Sequence, residues 1–189
     1  RGAYPVAQVV GPGGSLVEWG IIVARADSGI QEIGQLKGKR VMATSKTALV
    51  GYLAQAKRLL EAGVQPERDV RIIRGGKQDE LLVRALLQGK VDAVFVREAA
   101  LRTVEGSADL ARIRIIGTTD SFPSWCLVAF PETDPAVVAK VKDALMKLRA
   151  ENADHAPILE AMGAGGFADT DPEQYQMVLD LVAALGVPL

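Results

Sequence analysis

The chain has 189 residues, 22 basic and 23 acidic side chains, a net charge of −1 and 49% apolar residues, the composition of an ordinary globular protein. So even a charge balance provides no polycationic face for nucleic acid. Cys126 and His155 are the single cysteine and histidine, which excludes an internal disulfide, a thiolate metal cluster and any site that needs two imidazoles.

No run of about 18 apolar residues is present that could cross a bilayer as a helix. No signal peptide is visible after Arg1, and an export signal could have been removed. Residues 1–16 carry Pro5, Gly11, Pro12, Gly13 and Gly14 and read as an opening loop with at most one short strand. Val17–Arg25 predicts a strand, Ser28–Leu36 a short helix and Arg40–Ala43 a short strand. Leu49, Leu53, Ala56 and Leu60 recur at helical spacing, with Tyr52 and Leu59 widening the stripe, and Gly63 stops that helix. Pro66–Asp69 reads as a turn, Val70–Ile73 as a strand, and Asp79–Gln88 as a helix ended by Gly89. Val91–Val96 is almost unbroken apolar sequence, the pattern of a strand buried on both faces. Further strands are expected at Ile113–Ile116 and Trp125–Phe130. Residues 38–118 therefore alternate strand and helix, which predicts an α/β fold with a largely parallel sheet and helices on both faces. Ligands of such sheets sit beyond the strand C-termini.

After Phe130 the pattern becomes helical. Residues 134–150 predict an amphipathic helix with Val137, Val141, Leu145 and Leu148 on one face. Pro157–Met162 predicts a short helix, Gly163, Gly165 and Gly166 a loop, and Asp171-Pro172 the start of a last helix carrying Tyr175, Val178, Leu179 and Val182. These helices have little sheet left to cover, which points to a missing partner layer.

Four segments carry binding chemistry. Thr44-Ser45-Lys46-Thr47, between a strand and the long helix, offers hydroxyls and backbone N–H groups as an anion seat, with Ser45 or Thr47 also expected to cap the helix. Gly75-Gly76-Lys77-Gln78 occupies the equivalent junction one unit later; Gly76, Lys77 and Gln78 could approach a ligand or form only a tight turn. Arg97-Glu98 follows the buried strand, and its side chains face a ligand or pair with each other. Asp120 to Trp125 mixes Ser121 and Trp125 with turn residues in what could be a pocket wall. Trp19 could stack on a ligand or simply be a half-buried strand tryptophan. His155 reads as solvated and Cys126 as core. No Walker loop, dinucleotide glycine fingerprint or Gly-x-Ser-x-Gly elbow is present, so neither a cofactor nor a metal is expected and no catalytic set is found.

Ile21 to Ser28, then Leu36-Lys37-Gly38-Lys39-Arg40-Val41, resembles the start of the second lobe in type II periplasmic solute-binding proteins. Gly51-Tyr52-Leu53, Gly89-Lys90-Val91-Asp92-Ala93 and the tail Gly166-Phe167, Asp169-Thr170-Asp171 and Tyr175 resemble the phosphate- and phosphonate-binding branch that serves ABC importers. The resemblance covers the chain from about Val17 onward. It implies two α/β lobes joined by crossing strands at Val17–Arg25 and Trp125–Phe130, a ligand held by hinge closure, and a first-lobe segment preceding the equivalent of Arg1. The expected divisions are residues 1–25 as opening loop and first hinge strand, 26–123 as the ligand-binding lobe, and 124–189 as second hinge strand and helices returning to the first lobe. Where that branch has a Ser-Thr-Ser run before the helical glycine, this chain has Ala48, Leu49 and Val50, which removes hydrogen bonds worth about 1.5–3 kcal/mol each to an anion.

The expected function is an extracytoplasmic solute-binding protein with a small, anionic ligand and an ABC permease as partner. Two rivals use the same fold: the sensor domain of a membrane histidine kinase or related receptor, and a biosynthetic enzyme drawing on Asp92, Glu98 or Asp120.

Overall fold

A computed structural model describes residues 2–103 and 109–187. In chain order the strands are β1 (Tyr4–Val10), β2 (Val17–Arg25), β3 (Arg40–Ala43), β4 (Arg71–Arg74), β5 (Ala93–Arg97), β6 (Ile113–Pro123), β7 (Cys126–Ala129) and β8 (Gly166–Ala168). The α-helices are α1 (Ala54–Glu61), α2 (Asp79–Leu87), α3 (Pro135–Leu145), α4 (Ala156–Met162) and α5 (Gln176–Ala184). The chain forms two units: Arg1–Glu18 with Phe122–Met177, and Trp19–Ser121 with Val178–Leu189.

The larger unit is built on a five-stranded sheet of order β4-β3-β5-β2-β6. β3 runs parallel to both β4 and β5, whereas β2 runs antiparallel to β5. The largely parallel expectation therefore holds for the β4-β3-β5 part, and the sheet as a whole is mixed. Ile21, Val23, Val94 and Val96 from the paired apolar strands meet Leu82, Val83 and Leu86 of α2 in one buried cluster. The apolar stripe of α2 repeats at three- and four-residue spacing, so one helix face closes that side of the sheet.

The smaller unit has a three-stranded sheet of order β7-β1-β8, with β1 antiparallel to both neighbours. The one strand allowed for the opening residues is thus β1, and it lies at the centre of this sheet. Pro5 and the polar Gln8 hide it in the sequence, yet Val6, Ala7, Gln8 and Val9 are all buried. Gln8 is satisfied there: its amide donates to the Leu16 carbonyl at 2.7 Å and to Ser124 Oγ at 3.2 Å, and its Oε1 accepts from Gln174 Nε2 at 3.0 Å. Tyr175 donates to the Ser124 carbonyl at 3.2 Å, and burial leads in pushing its phenol up to about 12. Ala7, Val9, Leu159, Ala164 and Phe167 form the core of this unit.

Other boundaries move for local reasons. Ser28–Leu36 is helical only as a 3-10 turn at Ile33–Leu36, closed by reciprocal capping of Glu32 and Gln35. The 134–150 helix stops at Leu145, and the Arg149 guanidinium covers the carbonyls of Met146 and Leu148 at 2.7 and 2.8 Å. The expected glycine loop contains β8, which pairs with β1. β6 continues to Pro123, so Asp120 and Ser121 lie in a strand and not in a loop. The divisions between the units fall within β2, β6 and α5, and β7 belongs wholly to the smaller unit. The chain from Val178 groups with the larger unit, where Leu185 and Val187 line a cavity of about 270 Å³ with Tyr52, Leu53, Ala56 and Leu60.

Candidate functional site

Register gathers the candidate residues of the larger unit on one sheet edge. Ala43 pairs with Arg74, so the turns after β3 and β4 start side by side, and Gly75 N donates to the Ala43 carbonyl at 2.9 Å. Met42 pairs with Val94, which brings Arg97 to the same edge, and Gly20 of the antiparallel β2 lies opposite Arg97. Ser45, Lys46, Thr47, Gly76, Lys77, Gln78 and Arg97 thus belong to the C-terminal ends of three adjacent parallel strands.

The turn after β3 is not the expected capped helix start. Its residue preceding the helical turn is Ala48, without a side-chain cap, and a single wide turn, Leu49–Leu53, comes before α1. Val50 (φ −105°, ψ 90°) and Gly51 (φ 150°, ψ −6°) interrupt helical geometry, so neither Ser45 nor Thr47 has an adjacent helical N–H to cap. A Cβ on Gly51 would lie 2.6 Å from Thr44 Oγ1, so glycine is required. Gln55, fully buried, accepts from Gly51 N at 3.0 Å and donates to the Val96 carbonyl at 3.2 Å. Among the described residues the hydroxyls of Ser45 and Thr47 make no hydrogen bond, and the Ser45, Lys46 and Thr47 N–H groups have no backbone partner. Ser45 is half-buried and Lys46 and Thr47 are exposed, so these donors are open to solvent or to a ligand.

The charges at this edge are mostly balanced. Lys46 Nζ is 3.1 Å from Glu67 Oε2, and Glu67 also accepts from Tyr52 OH at 3.0 Å and from Arg74. The Arg74 guanidinium sits 4.4 Å above the Tyr52 ring. Glu67 adopts φ 62°, a left-handed conformation uncommon for glutamate. Burial acts to raise its carboxyl, but hydrogen bonds from Lys46 and Tyr52 outweigh it and hold the group below the ordinary carboxylate range. Burial leads in raising the Tyr52 phenol. Arg97 pairs with the buried Asp79 at 2.7 Å, not with Glu98. Lys77 is exposed and makes no ion pair among the described residues.

The other candidates are differently placed. Trp19 is half-buried and packs on the α2–sheet core. Ser121 is exposed on β6. Trp125 belongs to the smaller unit, where its ring meets Phe167 edge-on at 6.4 Å. Sequence reasoning missed Gln55, Glu67 and Asp79. A polar Gln55 beside the apolar stripe of α1 was a visible signal; the long-range partners of Glu67 and Asp79 were not.

The mixed α/β sheet, with Lys46, Lys77 and Arg97 beyond its parallel strands, has the fold of the type II periplasmic binding proteins among the solved structures. XAC2383 from Xanthomonas citri bound to ATP superposes with a TM-score of 0.78 at 20% identity, over 97% of this chain and 71% of that one. A binding protein component of an ABC phosphonate transporter, PA3383 from Pseudomonas aeruginosa, gives 0.77 at 18% identity, over 95% of this chain and 61% of that one. PhnD1 from Prochlorococcus marinus in complex with methylphosphonate gives 0.80 at 15% identity, over 100% of this chain and 73% of that one. No curated protein matches the chain. The chain belongs to the family of periplasmic substrate-binding proteins of ABC phosphonate transporters, whose pattern it matches over residues 1–175.

Proposed function

We propose that this chain binds a small anion of the phosphonate or phosphate type at the edge formed by Ser45–Thr47, Gly76–Gln78 and Arg97. Outside the cytoplasm it would deliver that ligand to an ABC permease. The observation that carries this reading is the set of unpaired N–H and hydroxyl donors at Ser45–Thr47, beside Lys77 and the Asp79-supported Arg97. Oriented backbone donors bind oxyanions without the side-chain hydroxyls that Ala48, Leu49 and Val50 lack. Trp19 and Ser121, in the same unit, are offered as additional contacts.

Binding without turnover is favoured by the state of the carboxylates. Arg40 hydrogen-bonds Asp92 and holds it below the usual range, and Lys57 does the same for Asp120 at 2.8 Å. Asp92 lies at the other end of β5 from Arg97, where its carboxylate also accepts from Arg40 N at 2.8 Å. Neither carboxylate is poised to donate a proton at neutral pH.

A thermal-shift titration with phosphate, phosphite and methylphosphonate, with a neutral sugar as control, tests the reading. An anion at about 100 times its Kd adds about 2.7 kcal/mol, a rise of roughly 5–10 °C. A response to the sugar alone, or to none of these solutes, would sink the proposal.

A further inference from the structure

We infer that Gln55 is a positioning residue that locks the turn after β3 to the end of β5, so that the Ser45–Thr47 donors and Arg97 are presented as one preassembled set. The inference rests on the anion-binding reading above and adds to it a residue that touches no ligand. Gln55 is fully buried, and a buried amide is tolerated only when its polar atoms are paired. Its two bonds run to different segments: Oε1 to the N–H of Gly51 in the turn, and Nε2 to the carbonyl of Val96, one residue before Arg97. Only this orientation of the amide satisfies both partners. The lock stabilises an unusual backbone. With Gly51 at φ 150° and Val50 outside the helical region, the turn is closed by wide i→i+5 bonds, from Leu53 N to the Ala48 carbonyl at 3.0 Å and from Ala54 N to the Leu49 carbonyl, and Thr44 N reaches the Gly51 carbonyl only at 3.4 Å.

Gly20 is the matching feature on β2. A Cβ there would lie 2.2 Å from Gln55 Nε2, so the absence of a side chain at position 20 provides the space through which Gln55 reaches Val96. Position 20 pairs with Arg97 in the sheet. Gly20 and Gln55 thus act as a pair: the first clears the path and the second bridges it. Preorganised donors bind more tightly because less ordering remains to be done on binding.

The test uses the whole chain, its Gln55→Leu variant and its Gly20→Ala variant. Affinity for methylphosphonate and inorganic phosphate is measured by titration calorimetry, folding by thermal denaturation without ligand, and amide hydrogen exchange at Gly51 by NMR. The expected result is that both variants melt cooperatively, bind about tenfold or more weakly, and exchange the Gly51 amide faster than wild type. Folded variants with affinities within about twofold of wild type would overturn the inference. So would weakened binding with unchanged Gly51 exchange, because the effect would then not pass through the lock. If wild type binds neither anion, it is the functional reading that fails. The lock is then judged on exchange alone: acceleration in the variants supports it and no change refutes it. If neither variant folds, the wild-type Gly51 amide decides, since protection like that of β5 is required and rapid exchange refutes the lock.

Discussion

The two units differ in how their apolar surfaces are used. In the larger unit Ile22, Val23, Ala24, Phe95 and Val96 are completely buried, and α2 contributes Leu82 and Leu86 to the cluster that holds Val23 and Val96. In the smaller unit α3 buries none of its residues; Val137, Val138 and Val141 face Val6, Leu127, Val128 and Phe130 across an open apolar cavity of about 200 Å³. Both helices have amphipathic sequences. The contrast teaches that an apolar stripe specifies which face seeks cover, not how completely the cover is supplied.

The largest expected effect lies where burial is complete. Phe95→Ala should destabilise by about 3–5 kcal/mol, because it removes an aromatic ring from a closed interior that cannot collapse around the gap. Urea denaturation followed by circular dichroism measures this. A loss of under about 1 kcal/mol would mean that the larger unit is packed no better than the smaller, and the comparison fails.

A smaller effect is expected from backbone conformation at the ligand edge. Gly51→Ala places a methyl 2.6 Å from Thr44 Oγ1 and forces an L-residue into φ 150°. The expected cost is about 1–3 kcal/mol. Pairing it with Thr44→Ala should restore part of the loss, since that removes the clash but leaves the dihedral strain. No recovery in the double variant would show that the dihedral alone sets the cost.

These residues also mark how far the sequence could be read. The alternation from Arg40 to Val96 and the resemblance through Gly51-Tyr52-Leu53 and Gly89-Lys90-Val91-Asp92-Ala93 made the α/β fold and the family legible. Periodicity located the strand ends at Ala43, Arg74 and Arg97 to within a residue or two, and with them the candidate edge. It did not reveal that Leu49–Leu53 winds wide, because Leu49 and Leu53 keep helical spacing through the irregular turn. It allowed one short strand in residues 1–16 but did not locate β1 or its central place, since alternation fails in a strand buried on both faces and its one polar residue, Gln8, is satisfied by Leu16, Ser124 and Gln174 from distant positions. Pairings such as Arg97 with Asp79 are set by tertiary approach, and no local pattern encodes them.

Acid should separate a charged tie of the larger unit from its apolar interior. Asp92 accepts from Arg40 Nε at 3.2 Å and Nη2 at 3.1 Å, and from its backbone N–H at 2.8 Å. These bonds, the side-chain ones foremost, depress the Asp92 pKa below its unfolded value. Its contribution to stability is therefore fully present above the ordinary carboxylate pKa of about 3.9 and is lost as pH falls through the folded value. Asp92→Asn should flatten that part of the acid limb in a pH series of urea midpoints. The pair is partly exposed, so solvent screens it and the change should be modest beside Phe95→Ala. An acid limb identical to wild type would show that the tie contributes nothing.

The smallest effect is expected at the open face of the smaller unit. Phe130 and Val137 are 54% and 50% exposed, so little of the transfer free energy of either side chain is realised on folding. Val137→Ser and Phe130→Ser should each change stability by no more than about 0.5 kcal/mol. Val137 is also on the surface of a regular helix, where serine costs little in propensity. The same substitutions should lower the binding of a dye such as ANS to the folded protein, because both residues line the apolar cavity. Stability and dye binding thus move independently here, whereas at Phe95 the loss of packing affects folding first. A cost above about 2 kcal/mol for Val137→Ser would mean that the α3 face is covered in solution. Under that result the contrast between the units would be one of what packs on them, not of how each is built.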